Sequence, residues 1–302
     1  MSRTRVFVLT SLAMIAFAGN SLLCRLALNQ TGIDAASFTS IRIVSGALAL
    51  WLIVLVRGGT GSTSGSWPSA FALFVYAAAF SFAYLSLPAA AGALLLFGAV
   101  QATMIIYGLW AGERLRWRQT SGLIFAFGGL VGLLLPGLSA PPLYGSLLML
   151  AAGVAWGIYS LRGKGTGDAT RVTAGNFLRA VSFAAGLSLA MLPWGVLDVS
   201  GVWYAVSSGA LASGVGYAIW YTALRGLKAT SAATVQLSVP VIAAVGGIIF
   251  LNEPVTLRLL IAATAILGGI ALVVVDNRPS RQTPNPSIQS GRAQARAADF
   301  RR

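Results

Sequence analysis

Apolar runs about as long as a bilayer is thick follow one another along almost the whole chain. That succession limits the possible folds more than any local motif does. A helix needs about 20 apolar residues to cross the hydrocarbon of a membrane. Ten such windows can be read: 6–28, 35–56, 68–87, 89–111, 119–135, 143–162, 172–193, 201–222, 231–251 and 256–275. Pro88 in "SLPAAAG" marks one break, and "PGLSAPP" (Pro136–Pro142) marks another. Composition agrees: 57% of residues are apolar, 9% are charged, and mean hydropathy is +0.79. A soluble domain carries about 25% charged residues. Water is therefore the wrong solvent for this surface, and a lipid bilayer is the expected one.

The two ends need separate treatment. "MSRTR" followed by "VFVLTSLAMI" and "AFA" has the outline of a secretory signal. Its apolar run continues to Leu28, so it is expected to stay as the first membrane helix. Residues 276–302 are rich in Pro, Ser, Gln and Arg and are expected to form a disordered cytoplasmic tail.

A net charge of +14 raises the question of nucleic acid, but the basic residues form no groove-sized cluster. With a cytoplasmic N-terminus, the inside segments hold Arg3, Arg5, Arg57, Arg114, Arg116, Arg118, Arg162, Lys164, Arg171, Arg225, Lys228 and six arginines of the tail. That is 17 of the 21 basic residues. Only Arg25 and Arg258 fall outside, near span ends, while Arg42 and Arg179 lie within spans. The asymmetry follows the positive-inside rule and places both termini in the cytoplasm of a multi-pass protein. The expected location is a bacterial inner membrane, with no nucleic-acid partner.

The chain has no histidine and one cysteine, Cys24. Ser-His and Cys-His catalysis are excluded, as is a His-ligated metal. No metal, cofactor or enzymatic activity is expected. A scaffold or sensor is disfavoured too, because no soluble domain accompanies the spans.

The two halves of the chain echo each other. "FAGNSLLCR" (Phe17–Arg25) resembles "WGIYSLRGK" (Trp156–Lys164) at an offset of 139. "IRIVS" (Ile41–Ser45) resembles "LRAVS" (Leu178–Ser182) at 137, and Phe80 and Tyr84 match Tyr217 and Tyr221 at the same offset. Glu113 matches Glu253 at 140, and each is followed fifteen residues later by Gly-Gly. Five spans per half is an odd number, so the second copy must insert upside down. The expected fold is an all-α integral membrane protein of ten transmembrane helices. Residues 1–138 form one five-helix repeat and 139–275 an inverted second one, around a central cavity.

Two five-span halves, each closing on a short Glu-containing loop and a Gly-Gly helix, resemble the EamA family of the drug/metabolite transporter superfamily. The residues that carry the likeness are "GERLRWRQTSGLIFAFGGLVGLLL" and "NEPVTLRLLIAATAILGGIALVV". It covers residues 5 to 275. The aromatic residues resemble those of the YddG-type aromatic amino-acid exporters within that superfamily. The resemblance implies a ten-helix bundle, a cavity open to one side at a time, and export of small metabolites.

Candidate substrate-binding residues are the polar and aromatic side chains within spans. Asn20, Gln101, Gln236 and Ser238 supply polar groups. Phe80, Tyr84, Trp156, Tyr159, Tyr217 and Tyr221 supply rings that suit an apolar amino-acid side chain. Ordinary helix packing is the competing reading for each. Pro240 is expected to bend its span. Arg42 and Arg179 lack a carboxylate within any span and are read as structural bolts to neighbouring carbonyls, with a carboxylate clamp as the alternative. Glu113 and Glu253 are expected to tie helix ends to loops. Spans without internal carboxylates leave an uncoupled carrier at least as expected as an antiporter, and an exporter of drugs or other metabolites, proton-coupled or not, is the alternative. The expected working unit is a monomer in a lipid bilayer.

Overall fold

The computed structural model describes residues 1–58, 64–112, 115–137, 140–163, 167–227 and 229–275. Every regular element among them is a helix. In chain order these are α1 (Arg3–Gln30), α2 (Ala35–Val56), α3 (Trp67–Tyr84), α4 (Ala89–Trp110), α5 (Trp117–Leu134), α6 (Leu143–Arg162) and α7 (Ala169–Ala190). After a short 3-10 turn come α8 (Val199–Val206), a π-helical stretch (Ser207–Val215), α9 (Gly216–Leu224), α10 (Ala229–Gln236), α11 (Ser238–Leu251) and α12 (Leu257–Val275). Residues 276–302, the expected tail, lie outside the described residues.

Each described carboxylate serves a helix N-terminus, where orphan N–H groups and the macrodipole favour negative charge. Asp34 accepts from Ala36 and Ser37 at the head of α2, Asp168 from Thr170 and Arg171 at the head of α7, and Asp198 from Gly201 at the head of α8. Glu253 does the same for another helix: its Oε2 accepts from the Ala89 N–H at the start of α4, at 2.7 Å. The four described acids are therefore engaged at helix ends, and none of them lies in the interior of a span.

Among the described residues, seven helices are long and apolar enough to cross a membrane by length and composition: α1, α2, α3, α4, α6, the run 234–251 and α12. α5 begins with Arg118 and Gln119, α7 carries Arg171, Asn176 and Arg179, and the stretch 199–224 is divided by its π segment. Large apolar side chains such as Phe7, Leu48, Phe125 and Phe250 stay exposed around the outside, as a lipid-facing surface requires.

Packing fixes the direction of every rod. α2 lies antiparallel to α7: Ser40 meets Ala184 and Ser188, Gly46 meets Phe177, and Arg57 meets Thr170. α3 is antiparallel to α6, with Arg162 on Ser69 at one end and Gly145 on Ser86 at the other. α6 is parallel to α4, with Gly153 on Leu96 and Ala99 and Gly157 on Thr103. α1 is parallel to α11, through Leu22 on Gly246 and Arg25 on Glu253, and antiparallel to α9, through Ala16 on Gly216. α5 and α12 run antiparallel, with Gly122 on Gly269 and Gly129 on Ala262. The stretches 199–224 and 229–251 each count as one rod. Successive rods then alternate in direction, and α6 points opposite to α1. Glycine and alanine at these crossings let backbones approach closely, the usual means of helix association in lipid.

Pro240 has the expected effect. Its missing N–H removes the donor that would serve the Gln236 carbonyl, and the helix breaks at Leu237 between α10 and α11.

Candidate functional site

A cavity of about 1310 Å³ enters the bundle from one end and stops near its middle. Its walls come from both halves of the chain. Around the mouth stand Ser66, Tyr107, Arg116, Asp168, Leu224 and Val274, all at helix ends on the same side as the start of α1. At the blind end stand Asn20, Ser21 and Phe80. Arg116, Arg162 and Arg171 line the entrance, with Asp168 as the acid among them.

Beyond the blind end the bundle is shut by two layers. The first is aromatic: Phe80 and Tyr84 are both fully buried and pack edge-to-face at 4.8 Å. The second is ionic. Arg25 Nε donates to Glu253 Oε1 at 3.0 Å, and Arg25 Nη1 donates to the carbonyls of Tyr84 and Leu85, at 2.9 and 3.3 Å, where α3 ends. The other Glu253 oxygen holds the first turn of α4. One ion pair thus joins α1, α3, α4 and α11. Arg258, the second basic residue expected outside, closes the C-terminus of α5 by donating to the carbonyls of Gly132 and Leu135.

Eight of the ten residues singled out from the sequence line the cavity: Asn20, Phe80, Gln101, Trp156, Tyr159, Tyr217, Tyr221 and Gln236. The other two sit outside its wall. Tyr84 lies behind Phe80, donates to the Ala89 carbonyl and presses on Gly92. Ser238 donates to the Val235 carbonyl at the bend before α11. Trp156 stacks on Tyr159 and on Tyr217, each at 5.2 Å, and meets Tyr76 at 4.8 Å. The four rings form one aromatic wall held by side-chain hydrogen bonds. Tyr159 donates to Thr173, which donates on to Tyr221, and Asn176 donates to Tyr159.

Sequence reasoning missed Tyr76, on whose hydroxyl two buried polar side chains converge. Its hydroxyl accepts from Arg42 Nη2 at 3.0 Å and from Asn20 Nδ2 at 3.3 Å. Asn20 in turn accepts from Ser208, in the π segment, at 2.6 Å. π-helical turns are rare and concentrate at functional sites. The available signal was spacing: Tyr76 lies one helical turn before Phe80 on the same face.

The two membrane arginines differ. Arg42 is 2% exposed, with its guanidinium over the rings of Phe80 (4.7 Å) and Tyr76 (5.2 Å). Arg179 is half-buried and donates to the Gly175 carbonyl one turn back on its own helix, α7, rather than to a neighbouring helix as a bolt would. Glu113 lies outside the described residues. Among the described residues no group of His, Cys, Asp and Glu is placed to hold a metal.

Known proteins give this geometry a context. Residues 143–275 match the EamA-like transporter family, a stretch that spans α6 to α12. An uncharacterized protein of Pseudomonas aeruginosa is 57% identical over 91% of this chain and 96% of its own length. The uncharacterized transporter YvbV of Bacillus subtilis is 26% identical over 90% of this chain and 92% of its own length. An uncharacterized transporter of Archaeoglobus fulgidus is 24% identical over 89% and 97%. A solved crystal structure superimposes with a TM-score of 0.65, covering 92% of this chain and 99% of that one at 21% identity, which establishes shared fold alone. A multi-pass helical bundle with a blind cavity, among relatives named as transporters, is a membrane transporter. The chain belongs to the EamA-like transporter family.

Proposed function

We propose that the chain exports small metabolites, foremost aromatic and other apolar amino acids, by alternating access between two inverted five-helix repeats. The site would sit in a bacterial inner membrane with both termini in the cytoplasm. The observation that carries this reading is the cavity itself: open at the end where α1 starts, shut at the other by the Phe80–Tyr84 and Arg25–Glu253 layers. With the positive-inside orientation, this is the inward-open state of an exporter awaiting cargo.

The inverted repeat is supported by how the contacts transform. With an offset of 140 between halves, the contact of Gly129 with Ala262 becomes that of Gly269 with Gly122, and both occur. The α2–α7 and α5–α12 pairs map onto themselves, and α4–α6 maps onto α11–α1. The aromatic amino-acid preference is supported by the wall of Tyr76, Trp156, Tyr159 and Tyr217 along the cavity. Uncoupled transport is supported by the positions of the described acids, all at helix ends, because proton or sodium coupling usually uses a carboxylate inside the membrane.

The test is flux of labelled tryptophan and phenylalanine into liposomes holding the purified protein, with and without a pH gradient. Saturable flux unaffected by the gradient is expected. Transport of other metabolites but not amino acids would discard the substrate assignment, and a gradient-driven flux would replace the uncoupled carrier with an antiporter.

A further inference from the structure

We propose that the blind end of the cavity is a carboxylate subsite, with the Tyr76 hydroxyl as the group that meets the carboxylate and Arg42 and Asn20 as positioning residues behind it. The proposal rests on the reading of the cavity as the substrate site and narrows it to cargo that carries a carboxylate.

The argument starts from proton accounting. The Tyr76 oxygen accepts two hydrogen bonds, from Arg42 and from Asn20. A phenol whose oxygen is so occupied still has one proton to donate. Among the described residues no acceptor takes it, and Tyr76 lines the cavity. Accepting from a guanidinium polarises the hydroxyl and strengthens it as a donor. Ser208 fixes the far side of Asn20, so the pair is held from two helices and the π segment.

The second observation is the uncompensated charge. Arg42 is 2% exposed, and its Nη1 has no hydrogen-bond partner. Among the described residues, the ion pairs are Arg25–Glu253 and Arg171–Asp168, so no acid balances Arg42. A cation in lipid costs a few kcal/mol even on lenient scales, and losing the partner of a buried charge is costly as well. Its nearest neighbours, Tyr76 and Phe80, are cavity wall. A single negative charge placed against that wall is the missing complement.

The route in has the same sign, with Arg116, Arg162 and Arg171 against Asp168. A carboxylate suits the end of that route better than a phosphate. One hydroxyl backed by one guanidinium matches a monoanion, whereas phosphate sites use several cations or backbone N–H groups. The aromatic wall then receives the remainder of the molecule.

The experiment measures binding to the full chain in nanodiscs for matched acid and amide pairs. The pairs are tryptophan and tryptophanamide, indole-3-propionate and its amide, and phenylpropionate and its amide. The wild type is expected to bind each acid at least tenfold more tightly than its amide. Tyr76→Phe keeps the ring, and is expected to remove that preference while leaving amide binding within about twofold. Arg42→Lys is expected to reduce the preference without abolishing it, because a point charge replaces the fork. Equal binding of acids and amides by the wild type overturns the subsite. So does an intact preference in Tyr76→Phe, or the absence of saturable binding by any acid. If the propionates show the preference and tryptophan does not bind, the subsite stands and the amino-acid reading falls.

Discussion

At the residue scale, the cavity wall separates side chains that face the cavity from side chains that hold the bundle. Tyr84 and Tyr217 were equal candidates as members of the two matched pairs Phe80–Tyr217 and Tyr84–Tyr221, yet Tyr84 sits outside the cavity and Tyr217 on it. Tyr84→Ala is therefore expected to cost about 3–5 kcal/mol of stability, the range for emptying a large aromatic site. Tyr217→Ala should instead lower tryptophan affinity with a smaller loss of thermal stability. Detergent melting curves beside flux measurements at equal protein would separate the two. Spacing could nominate these rings but not rank them, because which ring faces a cavity depends on how two helices cross. Tyr76 escaped notice because its match at the offset of 137 is Ser213, so the repeat gave it no aromatic echo. Asp34 offers a prediction of another kind. Burial pushes its carboxyl up, but hydrogen bonds from Ser37 and from the N–H groups of Val196 and Ala36 outweigh that and hold it below the ordinary 3.8. A depressed folded value means the stabilisation is complete above 3.8 and disappears as pH falls through the lower one. Unfolding followed from about pH 5 to pH 2 should show that acid loss in the wild type and a smaller one in Asp34→Asn.

At the element scale, the ten apolar windows all correspond to helical rods, with ends shifted by a few residues: 6–28 became Arg3–Gln30, and 68–87 became Trp67–Tyr84. The length of the apolar runs and the breaks at Pro88 and Pro136–Pro142 made that much legible. Two rods hold internal features that the windows did not reveal. The break at Leu237 was foreseeable from Pro240. The π stretch was not, because it depends on a distant contact: Gly209 lies against the Arg42 carbonyl and the Ser45 hydroxyl of α2, where a side chain would collide. The α5–α12 pair also relies on glycine. A Cβ on Gly122 would stand 2.5 Å from the Gly269 carbonyl oxygen, and one on Gly269 would meet that of Gly122. Either glycine replaced by valine is expected to force the helices apart and cost about 1–3 kcal/mol, the range for overpacking. Gly128 and Gly268 have open space around the same position, so Gly128→Ala and Gly268→Ala should be nearly neutral in the same melting assay.

At the scale of the whole molecule, one end of the bundle is open to the cavity and the other is closed, and the alternating access proposed above would exchange them. The end carrying Arg25 and Glu253 is closed by one ion pair that also occupies the first N–H of α4 and the last carbonyls of α3. Glu253→Gln removes the charge while keeping a hydrogen-bonding side chain, and should favour opening on that face. A thiol reagent applied from outside is then expected to reach a cysteine placed at Ser21 faster in Glu253→Gln than in the parent. The background for such labelling is low, since the native Cys24 is fully buried. The same chemistry tests the duplication on which alternating access depends. Arg118 opens α5 on the side where α1 begins, and Pro254 follows α11 on the opposite side; both are exposed. If the second five helices are the first five inverted, a cysteine at Arg118 should label only from the cytoplasm and one at Pro254 only from outside. Labelling of both from one face would mean that the halves share an orientation. Two equally oriented halves cannot interchange their inner and outer gates by a two-fold operation in the membrane plane, so the proposed exchange between inverted repeats would fall.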